Sequence, residues 1–319
     1  MLMNGKGVMN WLLEENQPSL RYLALTELLD RPQDDGEVQS AKERIPETGW
    51  AAEMLAKQKP GGWWAEEKSL YRPKYVSTNW MLLILSDLGL TRKDRRIANA
   101  CELWIKKFAK KDGGFGIDND KKSELCVVGN TARALVKFGY ANDPKVTSAF
   151  QWLVRNQSKL GGWSCFGSGR NLDSWEGMSA FAVYPKQKWT RSTKRSVEMG
   201  AEFYLERELH RQGAHYRPWY RFHYPTHYFY DILVGLDFMT ALGYGGDKRL
   251  GYALSLLKKK RRRDGKWLLE AVHPDVERGV TKYYDKLNPI PISLEKSGEP
   301  SKMITLKAMT VLHRVESLR

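Results

Sequence analysis

A glycine-aromatic loop recurs four times along this chain at a spacing of about 50 residues, and a repeat of that length restricts the fold to architectures that stack or close similar units. The copies are Gly61-Gly62-Trp63, Gly113-Gly114-Phe115, Gly161-Gly162-Trp163 and Gly265-Lys266-Trp267. A second element recurs between them. Leu88-Gly89, Phe138-Gly139 and Leu242-Gly243 each close an apolar segment, and Asp94, Asp143 or Asp247 follows within a few residues. Glycine ends a helix by adopting the left-handed conformation without steric cost. Aspartate starts the next helix by accepting from its free amides, helped in one copy by Pro144 at the first helical position. Each unit therefore reads as helix, glycine stop, aspartate-capped helix, glycine-aromatic loop.

Two kinds of helix alternate. Segments 76–88, 125–138, 175–183 and 228–242 are apolar nearly all round, the pattern of helices enclosed on several sides. Segments 95–109, 145–156, 195–210 and 248–260 are amphipathic and belong on the outside. Segments 19–29 and 301–316 read as further inner helices and 50–57 as a short outer one. About six inner helices result, enough to close a ring. The expected fold class is all-α, an (α/α)6 toroid of tandem helix pairs forming one domain over residues 1–319.

Composition narrows the partners. The chain has 319 residues, 42% of them hydrophobic, which supports a large buried core. A net charge of +15 points to an anionic partner: nucleic acid, acidic lipid or a phosphorylated small molecule. No specific nucleic-acid motif is present. The basic run 258–263 sits at a helix C-terminus, where cations complement the macrodipole. No apolar run approaches the roughly 18 residues of a membrane span, and the first residues lack the apolar core of a secretory signal. Cys101, Cys126 and Cys165 have neither zinc-knuckle nor CxxC spacing, which speaks against a disulfide framework. A cytoplasmic protein with weak contact to anionic membrane is the expectation.

The pattern of Trp152, Gln157, Gly161, Gly162 and Trp163 resembles the QW repeat of squalene and oxidosqualene cyclases, and the ring of helix pairs is shared with protein prenyltransferase β subunits. The chain resembles the short prokaryotic prenyltransferase-like or terpene-cyclase-like proteins. In such proteins the Gln and Trp tie neighbouring outer helices together, so the resemblance makes Trp63, Phe115, Trp163 and Trp267 packing residues. It also implies a central, aromatic-lined cavity at the N-terminal ends of the inner helices that binds or converts an isoprenoid or its diphosphate. The family's acid motif DxDD and its magnesium motif DDxxD are both missing; the nearest string is Asp118-Asn119-Asp120-Lys121. Catalysis is thus left open. The alternatives are a non-catalytic ring that binds an apolar ligand or a protein, and a carbohydrate-active (α/α)6 enzyme built on paired carboxylates.

Candidate residues follow from the segments that feed the inner helices. Between 217 and 231 lie several aromatic rings, Arg221 and His227 as ligand-binding groups, and Tyr230 and Asp231 as catalytic ones. A lone aspartate among aromatics has its pKa raised by desolvation and can donate a proton; the plainer alternative is an Asp231–Arg221 pair. Glu176 completes the catalytic set, since Glu124 with Glu176 or with Asp231 would form a carboxylate pair. Trp80 and Trp175 offer faces to a cationic intermediate. Lys74 and Lys121 precede inner helices and are placed to hold a diphosphate. Protein prenyltransferases bind zinc through an Asp-x-Cys pair after Gly-Gly-Phe and a histidine in the following repeat. Glu124 and Cys126 occupy the first two positions, but the following repeat reads Asp173-Ser174-Trp175-Glu176. With no third ligand of the usual kind, neither zinc, magnesium nor another cofactor is assigned.

Overall fold

The computed structural model describes residues 5–165, 172, 174–211, 215–272 and 294–318; Asp173 of the zinc comparison lies outside them. Thirteen α-helices are found among the described residues: α1 Gly5–Leu12, α2 Pro18–Glu27, α3 Gly36–Arg44, α4 Gly49–Leu55, α5 Thr78–Asp87, α6 Arg95–Phe108, α7 Leu125–Lys137, α8 Pro144–Arg155, α9 Glu176–Val183, α10 Arg191–Glu206, α11 Ile232–Ala241, α12 Gly251–Lys259 and α13 Lys302–Glu316. A two-residue antiparallel pair, Trp267–Leu268 with Pro300–Ser301, is a minor addition.

Six helices form the inner layer: α2, α5, α7, α9, α11 and α13. From α5 onward each packs on the next, and α13 packs on both α11 and α2. At the remaining joint Gly89, just past α5, lies against the ring of Tyr22 in α2. The circle is closed. Outer helices α4, α6, α8, α10 and α12 back the ring, and α1 fills the last outer place by packing on α2 and α13. Neither α1 nor α3, an extra helix against α2, is foreseen from the repeat, because neither carries the glycine-aromatic loop. Layer assignment follows burial: all ten residues of α5 are buried, whereas α6 buries a single stripe, Ile97, Ala100, Cys101, Trp104 and Phe108. No described helix is long and apolar enough to cross a membrane.

The expected start and stop signals are in place. Asp94, Asp143 and Asp247 accept from the amides of Arg96, Lys145 and Arg249, and Gly89, Gly139 and Gly243 take positive φ. The loops repeat in hydrogen-bond register. Lys59, Lys110, Ser158 and Arg262 each donate to a carbonyl four residues on, at Trp63, Gly114, Gly162 and Lys266. That register moves one assignment: the first-repeat counterpart of Phe115, Trp163 and Trp267 is Trp64, not Trp63. The indole N–H groups of Trp64, Trp163 and Trp267 each donate to the carbonyl ten residues back, at Met54, Leu153 and Leu257, over 2.8 to 2.9 Å. Gln58 and Gln157 reach from one outer helix to the next, donating to the carbonyls of Arg96 in α6 and Ser196 in α10.

Candidate functional site

At the end of the ring where the inner helices begin, aromatic side chains pack on one another. Trp80, in the first turn of α5, is surrounded by Tyr75, Tyr228, Tyr71 and His227 with ring centroids 4.3, 5.0, 5.1 and 5.1 Å away. Part of the expected set meets here. Glu176 is buried at the start of α9, Cys126 lies in the first turn of α7, and Lys74 holds its ammonium 5.9 Å from the Tyr71 ring. Burial, then the charge of neighbouring Asp120, raises the Glu124 carboxyl. Lys121 is exposed on the loop ahead of α7. Among the described residues no three His, Cys, Asp or Glu side chains are grouped to hold a metal ion. The rings around Trp80 pack against one another.

The segment before α11 departs from expectation in a definite way. Asp231 is 1% exposed but is not a lone acid. One carboxylate oxygen accepts from the His223 backbone N–H at 3.0 Å and from the His223 ring at 2.6 Å; the other accepts from the Val234 amide at 2.9 Å and caps α11. The cap sets the start of α11 at Ile232 instead of near residue 228. Arg221 does not pair with Asp231; it donates to the carbonyl oxygen of Glu270. Tyr230 donates its hydroxyl to the Leu209 carbonyl at 2.9 Å. Asp231, Tyr230 and Arg221 thus hold backbone together, while His227 joins the cluster at Trp80.

A hollow lies toward the opposite end, where the inner helices finish. A cavity of about 340 Å³ is lined by residues of the inner helices, with Glu27, Asp87, Arg133, Lys137, Asp237, Lys307 and Arg314 among its walls. Asp87, the last residue of α5, accepts from Lys137 at 2.7 Å and from Arg133 at 3.3 Å. Asp237 accepts from Arg314 at 2.8 Å. Lys307 reaches the Thr226 hydroxyl at 3.3 Å and sits 5.4 Å over the Tyr224 ring, with no carboxylate in ion-pair range among the described residues. Lys42, Gly89 and Thr91 line both this cup and a wider surface groove, which gives a route to solvent.

The two ends are joined along one face of α7. Cys126, Asn130, Arg133 and Lys137 recur at helical spacing. Asn130 donates to the His227 carbonyl at 3.1 Å and accepts from Arg133 at 3.5 Å; the Arg133 guanidinium lies 5.6 Å from the Trp175 ring. From one mouth to the other the axis therefore runs from packed aromatics, through Trp175 and Tyr224 with cations above them, to the charged cup.

Electrostatics decides what the cup can do. Burial alone would raise the Asp87 carboxyl, but Lys137 and Arg133 outweigh it and hold it well below the ordinary value. Burial is likewise overcome at Asp237 by Arg314 and Lys307. Neither is a proton donor near neutrality. Glu27 differs: burial in the wall raises it, and Arg314, 3.8 Å away, only partly offsets this. Charged residues within otherwise apolar inner helices were the signal for this cup. They are overlooked when such helices are read as uniformly buried.

The ring order, its closing contact and the repeated Gln and Trp bridges define a terpenoid-cyclase-like α/α toroid. No family model and no curated protein matches the chain. Among solved structures it is similar to type II terpene cyclase MstE from Scytonema without ligand, at 17% identity and a TM-score of 0.48 over 95% of this chain and 87% of that chain. It is also similar to a variant of that enzyme in complex with geranylgeranyl dihydroxybenzoate as substrate, at 15% identity, TM-score 0.48 and the same coverage. A third similar structure is a variant in complex with merosterolic acid A as product, at 15% identity and TM-score 0.46 over 95% of this chain and 86% of that chain.

Proposed function

We propose that this ring binds a small ligand carrying a phosphate-type anionic head, of the isoprenoid diphosphate class, in the charged cup. The observation that carries the reading is Arg133. It lines the cavity, is 6% exposed, and its Nε has no hydrogen-bond partner among the described residues. A buried donor left unmatched costs about 1–3 kcal/mol, which an anionic oxygen in the cup would recover. Lys307 adds a second cation, whose hydrogen bond among the described residues is to the Thr226 hydroxyl. Five cations against three carboxylates line the space when Lys42 is included, and they offset the negative helix ends that would otherwise repel an anion.

Volume and wall chemistry limit the rest of the ligand. The cavity of about 340 Å³ is near the lower end of the roughly 300–1,000 Å³ typical of ligand sites. It suits a diphosphate with a short hydrocarbon tail, and Leu23, Phe238, Met303 and Leu306 are the apolar part of the wall. Without a proton donor at Asp87 or Asp237, the reading is a binding ring in preference to one that starts cyclisation by protonation. Calorimetric titration with pyrophosphate, with C5, C10 and C15 isoprenoid diphosphates and with the matching alcohols tests it. Saturable binding of the diphosphates and none of the alcohols is expected. No heat from any diphosphate, or equal binding of alcohol and diphosphate, would overturn it.

A further inference from the structure

Two of the three cysteines meet where α7 begins, far along the chain from one another. The Cys165 sulfur accepts from the backbone N–H of Cys126 at 3.1 Å. That amide belongs to the first turn of α7, whose N–H groups have no partner within the helix. The nearness of the two side chains lowers Cys165 and, together with burial, raises Cys126. One sulfur therefore sits where developing negative charge is stabilised, with a second thiol in contact. Both residues are half-buried, whereas Cys101 is fully buried in α6 and desolvation raises it.

We propose that Cys165 and Cys126 are a peroxide-responsive pair, Cys165 as the attacking sulfur and Cys126 as the resolving one. Two elements of the site make this chemistry local. The helix amide aims at one sulfur of the pair, and a thiolate at a helix N-terminus is the reactive form. The neighbouring thiol is placed to capture the first oxidation product before it goes further, the arrangement that keeps such oxidation reversible.

The steps balance. The Cys165 thiolate attacks hydrogen peroxide: a sulfur–oxygen bond forms, the oxygen–oxygen bond breaks, and hydroxide leaves to take up a proton. The Cys126 sulfur then attacks the sulfenic acid, the sulfur–oxygen bond breaks, and water departs with the Cys126 proton. Two thiols have lost two electrons and one peroxide has become two waters. The product links the segment that follows Trp163 to the first turn of α7, beside the Trp80 cluster.

The test uses the full chain, reduced and freed of reductant, then treated with equimolar hydrogen peroxide. It is next alkylated under denaturing conditions, digested without reductant and mapped by mass spectrometry. A cross-linked peptide joining Cys126 to Cys165, reversed by dithiothreitol, with Cys101 alkylated, is the expected result. Cys165→Ser should slow loss of the Cys126 thiol at least tenfold. Cys126→Ser should leave Cys165 as a sulfenic acid trapped by dimedone, and Cys126→Ala provides the same readout should the serine variant fold poorly. Recovery of both thiols free, equal oxidation of all three cysteines, a link between two chains, or over-oxidised Cys165 without a link in the unaltered protein would each overturn the proposal.

Discussion

Replacing Lys307 with methionine separates ligand binding from folding more cleanly than any other change in the cup. Lys307 contributes two contacts to the fold, a hydrogen bond to Thr226 at 3.3 Å and a position 5.4 Å over the Tyr224 ring. Each is worth roughly 0.5–1 kcal/mol. Removing a half-buried ammonium and keeping a chain of similar length offsets part of that loss. Stability should therefore change by about 1 kcal/mol or less, a melting shift of no more than about 2–4 °C in a chain of this size. A charge-assisted hydrogen bond to a phosphate oxygen is worth about 1.5–3 kcal/mol, which converts to a Kd raised roughly 10- to 150-fold. Titration calorimetry with pyrophosphate, run beside differential scanning calorimetry, reads both quantities. A Kd within twofold of the unaltered protein, with the melting temperature maintained, would refute the assignment of Lys307 to the anion site.

Other changes probe the scaffold and its pH response. Asp231→Ala removes the α11 cap and leaves the buried His223 ring without its acceptor, so urea unfolding should show a loss of about 3–5 kcal/mol; a loss under 1 kcal/mol would mean these bonds are not formed. Trp64→Phe removes the indole donor to Met54 and should cost about 1–3 kcal/mol, while Trp63→Phe, at a position with no such bond in the repeat, should cost less than about 0.5; equal effects would contradict the register. Gly161→Ala places a Cβ 2.1 Å from the Met199 carbonyl at φ +90° and should destabilise more than Gly243→Ala, which meets nothing within 4 Å at φ +99°; the difference between the two melts reports the close approach. Glu27, raised above the usual carboxylate value by burial, loses its charge sooner than an ordinary carboxyl as pH falls, so sulfate should bind more tightly as pH is lowered toward the carboxylate range. Asp87 is depressed, so its contribution to stability is present above the ordinary carboxylate value of about 4 and is lost as pH falls through its folded value. Unfolding should therefore sharpen in that lower window.

Much of the fold is legible because its signals are local. A glycine at positive φ and an aspartate accepting from amides two residues on are decided by a handful of neighbours, and they recur where the sequence repeats. The one-residue displacement from Trp63 to Trp64 shows the limit: two adjacent tryptophans look equivalent until the hydrogen bond from Lys59 to the Trp63 carbonyl sets the register. The candidate site is harder to read. Asp231 looks like an isolated acid in sequence because its partner, His223, is one of several polar groups nearby, and only the turn between them selects it. Asp87, Arg133, Asp237 and Lys307 come from four different helices and become neighbours only when the ring closes. Only Asp87 stands in the last turn of its helix; Arg133, Asp237 and Lys307 lie further in, and a charge inside an apolar helix does not say in the sequence which others it will meet.

The anion site is tested most directly by soaking crystals grown without sulfate or phosphate in selenate and collecting data at the selenium edge. The expected result is an anomalous peak inside the ring, within hydrogen-bond reach of Arg133 and Lys307. A cup left empty at saturating selenate, with peaks confined to surface cations such as Lys258 and Lys259, would contradict it.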